Sequence, residues 1–225
     1  MAQFQSPTPP TPLQPERKKE EVIMSNIASP APLGLNVLAF ATAIFGCYYT
    51  GFIVPYETTG MRTAIGAVLL IAGIILVLAG MWEYRKNYMV HATIFTSYGG
   101  FLAVLGVVFM PNFGIASALA GSGELHYALG LFFLAWTIYT GVLVLGALRT
   151  SIFMTSTMTV MFAAYLLLTI GQLVGNNIVL VNIGGWLAIA TGIIAWIAAA
   201  ASIVSTPSTL AAFQLPLGRH LAVVE

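Results

Sequence analysis

Apolar residues along this chain gather into six long runs separated by short polar breaks. Each run has the length a helix needs to cross a hydrocarbon core, about 20 residues. The runs cover residues 34-54, 63-82, 92-110, 126-147, 153-175 and 179-203. The breaks carry turn chemistry: Pro55 with Gly60, the polar cluster Glu83 to Asn87, Pro111 with Asn112 and Gly114, Arg149 with Ser151, and Gly175-Asn176-Asn177. Only the last break is tight, so the fifth and sixth runs should form a hairpin. A lipid-exposed segment must satisfy its own backbone hydrogen bonds, and runs this long exceed what barrel strands need. The pattern therefore predicts an all-α fold, a polytopic bundle of six transmembrane helices.

The apolar pattern stops at both ends of the chain. Residues 1-28 are Pro-rich from Ser6 to Pro15 and then mixed in charge, Glu16, Arg17, Lys18, Lys19, Glu20 and Glu21, a composition that predicts disorder. No apolar core followed by a small-residue cleavage site is visible there, so the segment reads as a retained tail. Residues 29-203 form the membrane domain, and residues 204-225, with Pro207 and Pro216, a C-terminal tail.

Composition sharpens this picture. With 59% hydrophobic and 7% charged residues, and a mean hydropathy of +0.92, lipid is the main solvent and the partner that the surface must meet. Net charge is +1 and Asp is absent, which leaves no footprint for nucleic acid. The single cysteine, Cys47, excludes an intrachain disulfide. If the N-terminus is cytoplasmic, seven of the eight basic residues (Arg17, Lys18, Lys19, Arg85, Lys86, Arg149 and Arg219) lie inside and only Arg62 outside. That asymmetry, with an even number of spans, predicts that both termini are cytoplasmic in a multi-pass protein of the cell membrane.

The chemistry available inside the spans is neutral. Glu57, Glu83 and Glu124 all fall at or near span ends, which disfavours a dedicated cation path. Asn36, Thr42, Tyr48, Tyr49, Thr96, Ser97, Tyr98, Thr137, Tyr139, Thr140, Thr155, Thr159 and Gln172 offer hydroxyls and amides that can donate to a carboxylate without holding it fast. Against this, Ser and Thr in membrane helices usually bond back to their own backbone, and tyrosines near span ends usually belong to the interfacial belt. Glu83 can pair with a neighbouring cation or meet a solute at the inner mouth; the pairing is slightly preferred. His91 and His126 at span ends read as solvated. No metal-ligand spacing and no clustered nucleophile and base occur, so neither a metal, a cofactor nor an enzyme is expected. Small residues, Ala39 and Ala43 in the first span, Gly99 and Gly100 in the third, and Gly184, Gly185, Gly192 and Ala198 to Ala201 in the sixth, mark close helix approach. The sixth span should be buried against neighbours, other subunits among them.

Specific residues then suggest a family. Ser29-Pro30-Ala31-Pro32-Leu33-Gly34-Leu35 resembles the Asn-Pro-Ala-Pro-Leu-Gly-Leu signature of the acetate uptake transporter family, whose members include the succinate-acetate permeases and YaaH-like proteins, with Ser29 in place of Asn. The segment Ala79 to Asn87 followed by Phe95-Thr96-Ser97-Tyr98-Gly99 is similar to its second-to-third helix junction, and Ile170-Gly171, Gly175-Asn176 and Gly184-Gly185-Trp186 to its fifth and sixth helices. The likeness covers residues 29 to 203.

The resemblance implies transport of acetate and related small monocarboxylates, with succinate sometimes included, through a path within each protomer of a homohexamer, either channel-like or proton-coupled. It implies an apolar constriction at the positions of Leu38, Tyr98 and Met158, where the family has Phe, Tyr and Leu. Leu76 replaces a Gln usual in the second helix. Along the path the polar candidates are Asn36, Thr42, Glu83, Thr96, Ser97, Thr159 and Gln172, with the Tyr98 phenol as donor to the passing carboxylate. An alternative is export of ammonium or another small solute, since relatives have been linked to ammonium. A sensor or scaffold without flux, acting through the Pro-rich tail, is a third reading.

Overall fold

The computed structural model describes residues 28–53 and 59–204. The expectations for the Pro-rich and charged tail, the Pro55 break, Glu57, Arg219, Pro207 and Pro216 lie outside the described residues. Within them the chain is helical: α1 (Ala31–Thr50), α2 (Thr59–Arg85), α3 (Met89–Phe109), a 3-10 turn (Pro111–Phe113), α4 (Ile115–Gly121), α5 (Leu125–Ala147), α6 (Ile152–Leu173) and α7 (Ile178–Val204). Six of these helices are long and apolar enough to cross a membrane, and they coincide with the six sequence runs. A helix of 20 residues such as α1 spans about 30 Å, the thickness of a hydrocarbon core.

The ends of the helices follow local chemistry. Pro32 lies in the first turn of α1, where its missing N–H costs nothing, and Gly51, with φ 63, closes the other end as its N–H donates to the Cys47 carbonyl. The tight turn after α6 needs left-handed backbone at Gly175 (φ 72) and Asn176 (φ 57). Asn177 then caps α7 by accepting from the Val179 and Leu180 amides at 3.1 and 3.3 Å. The expected α6–α7 hairpin is present. Not expected was α4, a short helix lodged in the connection between α3 and α5.

Around the bundle the order is α3, α2, α1, α7, α6, α5, with α3 and α5 meeting to close the ring. The α2–α3 and α1–α7 pairs have the most extensive contacts, and the α3–α5 closure is thin. Glycines explain the tight pairs. Gly66, Gly73 and Gly80 on α2 recur every seven residues, as do Ala92, Gly99 and Gly106 on α3. A Cβ at Gly73 would stand 2.5 Å from the Gly99 carbonyl, and one at Gly106 2.6 Å from the Leu70 amide. Backbones approach closely there, which is how membrane helices gain packing without a hydrophobic driving force. On α7, Gly192 meets Ala39 and Ala43 of α1, and Gly184 meets Leu168 of α6. Gly184, Gly185 and Gly192 of the sixth span are thus packed within the chain, while Ala200 is exposed.

The alternation of direction gives the bundle two ends. The Pro30 end carries the starts of α1, α3 and α6 and the finishes of α2, α5 and α7. The Gly51 end carries the opposite termini and α4.

Candidate functional site

Leu38 of α1, Tyr98 of α3 and Met158 of α6 have no exposed surface and belong to one buried apolar cluster. Helical spacing puts each on an inward stripe. On α2 that stripe is Ile65, Leu69, Ala72, Leu76, Ala79 and Glu83, all buried at intervals of three or four. Leu76 lies on it, so the position where the family has Gln faces the interior here with an aliphatic side chain.

From Tyr98 a column of rings runs toward the Gly51 end. Tyr98 stacks on Tyr165 at 6.2 Å between centroids, Tyr165 on Phe133 at 6.1 Å, and Phe133 touches the edges of Phe45 and Tyr49 at 6.0 and 6.2 Å. Tyr49 in turn meets Phe109. Such ring pairs hold one another beyond their area of contact, so the interior between Tyr98 and Phe109 is closed by packed aromatics. Tyr165, Phe133 and Phe45 escaped the sequence reading, because an aromatic on a membrane helix looks the same whether it faces lipid or core.

The hydroxyls are mostly engaged. Thr42 donates to the Leu38 carbonyl (2.8 Å), Ser97 to Thr93 (2.6 Å) and Thr159 to Thr155 (2.8 Å), while the Asn36 amide donates to Pro32 (2.9 Å). These protons are engaged within their own helices, the back-bonding that Ser and Thr usually show in membrane helices. Thr159, expected along the path, is corrected in position: it shares the outward face of α6 with the exposed Ile152, Leu166 and Ile170. Thr140 donates to the Trp136 carbonyl at 2.6 Å, so in its 2.6 Å bond with Tyr98 the tyrosine is the donor. The Tyr98 phenol, expected to serve the substrate, already serves Thr140 across the α3–α5 closure.

Two polar groups at the Pro30 end have no hydrogen-bond partner. Glu83 is 1% exposed and neither carboxylate oxygen makes a hydrogen bond; the Thr96 Oγ1, packed against Gly80 one turn away on α2, is also buried and unsatisfied. Of the expected pairing of Glu83 with a neighbouring cation, no hydrogen bond is formed; the charge of Lys86 is felt at the carboxylate only from a distance. Gly34, in the first turn of α1, packs directly on the Phe95 ring. His91 is half-buried beside Phe95 rather than freely solvated.

The Gly51 end is open. A cavity of about 190 Å³ is lined by Tyr48, Tyr49, Arg62, Phe109, His126, Gln172 and Asn176, with Ala116 and Ala120 of α4 in its wall. Of the polar span residues singled out in the sequence, Tyr48, Tyr49 and Gln172 line it. Arg62, His126 and α4 were not anticipated, although a single cation on one side of six spans was a signal to follow. No group of three or more His, Cys, Asp or Glu suited to a metal occurs among the described residues.

Comparison with known proteins places this arrangement. The chain matches the GPR1/FUN34/yaaH family over residues 11–218. It is 30% identical over 172 residues to the succinate-acetate/proton symporter SatP of Escherichia coli, covering 75% of this chain and 84% of that protein. It is 29% identical over 180 residues to ammonia transport outward protein 2 of Saccharomyces cerevisiae, covering 78% of this chain but 61% of that one, so it spans about three fifths of this fungal relative. The solved structure of the bacterial acetate channel SatP superposes with a TM-score of 0.72 at 26% identity, covering 86% of this chain and all (100%) of that one. Six apolar helices, the interior built around Tyr98 and a family match across nearly the whole length converge: this chain is a multi-pass membrane protein and belongs to the GPR1/FUN34/yaaH family.

Proposed function

We propose that this chain carries acetate and related small monocarboxylates across the cell membrane, through a path inside each protomer. The observation that supports the reading best is the interior itself. An open, cation-bearing vestibule leads to a fully buried apolar and aromatic stretch at Leu38, Tyr98 and Met158, and no fixed counter-charge interrupts it. A small carboxylate can be drawn to such a mouth and stripped of water beyond it without being trapped, as rapid transit requires. The relatives' names, a succinate-acetate/proton symporter and an acetate channel, point the same way.

In this reading Leu38, Tyr98 and Met158 form the constriction, and Met with Leu makes it more deformable than a rigid ring and a branched chain would. Both termini are cytoplasmic, which puts Arg62 and the vestibule outside. The protomers assemble as a homohexamer, and the protein is a transporter rather than an enzyme, working without a cofactor. An anion entering a negative-inside cell climbs about 2.3 kcal/mol per 100 mV, so accumulation calls for a proton. A bare buried carboxylate costs several kcal/mol, and Glu83, without a hydrogen-bond partner at the Pro30 end, is a place where a proton can be held.

The test is uptake of labelled acetate by purified protein in liposomes, with and without an inward proton gradient. Uptake no faster than in empty liposomes under every gradient sinks the proposal. Ammonium export, favoured by the name of the yeast relative, is the second reading; ammonium flux that acetate does not compete with would establish it instead.

A further inference from the structure

The transport reading invokes a cationic mouth at the Gly51 end without assigning its cation a binding role. Arg62 stands at the start of the apolar stretch of α2, half-buried, with its Nε buried and without a hydrogen-bond partner. An arginine at a span end ordinarily extends its guanidinium to the lipid headgroups. Arg62 instead lines the cavity together with Tyr48, Phe109, His126, Gln172 and Asn176, and no acidic side chain among the described residues is part of that lining. Glu124, near the rim, is exposed and accepts from Ser122. A guanidinium offers a planar fork that matches a carboxylate in a bidentate pair, and side-chain amides from Gln172 and Asn176 supply neutral donors beside it. The cavity of about 190 Å³ has room for a small carboxylate with part of its water.

We infer that the vestibule is a carboxylate-docking site in which Arg62 is the anion-binding residue. This rests on the transport reading for its physiological meaning, but the docking is a separate claim. Arg62 sets how well dilute anion is captured, and the buried stretch beyond it sets how fast captured anion crosses. Fixed positive charge at a mouth concentrates anions, and does so less as salt screens it, over about 30 Å at 0.01 M and about 3 Å at 1 M. The same charge repels ammonium, so Arg62 also biases the mouth against that cation.

The experiment compares wild type, Arg62→Gln and Arg62→Lys in liposomes, measuring acetate uptake against concentration at low and high sodium chloride. For Arg62→Gln the half-saturating acetate concentration should rise about five- to tenfold at low salt, with maximal rate within about twofold, and the difference should shrink to below about twofold at high salt. Arg62→Lys should restore most of the affinity, because it keeps the charge and loses only the fork. In parallel, binding of labelled acetate to detergent-purified wild type and Arg62→Gln is measured directly. If wild type binds acetate and the Gln variant does not, docking stands even when flux fails, which separates this inference from the transport reading. Unchanged half-saturation and salt dependence in Arg62→Gln overturn it. So does a fall in maximal rate alone, which marks a structural role.

Discussion

The two ends of the bundle are built on opposite principles. At the Gly51 end a cavity lies beside α4 and is lined by an arginine whose buried Nε makes no hydrogen bond. At the Pro30 end Gly34 lets α1 press on Phe95, and the interior stripe of α2 finishes on a carboxylate with nothing to bond. Among the described residues one end bears a cavity and a cation, the other close packing and an acid. The difference teaches that, among the described residues, the few charges that touch the interior are not spread along it: Arg62 and Glu83 are each kept near one end of the buried stretch.

The largest effect should come from the closely packed end. A Cβ at Gly34 would run into the Phe95 ring, so Gly34→Leu should lose about 2 kcal/mol or more of stability, read as a fall in melting temperature in detergent. The matching change at the open end, Gly121→Ala, meets nothing within 4 Å and should leave melting unchanged. Equal losses at both sites would erase the contrast.

Between the ends, Tyr98→Ala should change the acetate rate or its discrimination against larger carboxylates by about tenfold, and Tyr139→Ala by less than about twofold, in the same liposome assay. Tyr98 has no exposed surface, whereas Tyr139 is only partly buried and packs on the edge of Trp136. Similar effects would mean that the constriction lies elsewhere.

Glu83→Gln tests the acidic end in a different way. Because the carboxylate is buried without a hydrogen-bond partner, its neutral isostere should fold at least as stably, with no fall in melting temperature. Accumulation of acetate driven by a proton gradient should nevertheless drop toward simple equilibration, while downhill flux persists. Loss of folding would assign Glu83 a structural partner instead.

Much of the architecture was legible in the sequence because lipid imposes a length: the six runs match the six helices to within a few residues, and Gly175 with Asn176 gave away the α6–α7 hairpin. The inner faces were much harder to read. In a soluble helix polar residues mark the outside, but here Leu131 and Ile138 of α5 face out while Phe133 of the same helix is fully buried, and all three are apolar. Tyr165 and Phe133 were invisible for that reason. The hydroxyls misled in the opposite sense, since a threonine that bonds its own helix is indistinguishable in sequence from one that waits for a solute. The seven-residue glycine spacing on α2 and α3 could have been found, and would have paired those helices before any coordinates.

The bond from Tyr98 to Thr140 spans the place where the ring of helices is thinnest. Glycine seams weld α2 to α3 and α1 to α7, so if the barrel of helices parts anywhere, it parts where α3 leans on α5 with few supports. Tyr98 is therefore the catch on that seam: removing its hydroxyl should loosen the closure between α3 and α5 before it disturbs the glycine-packed pairs.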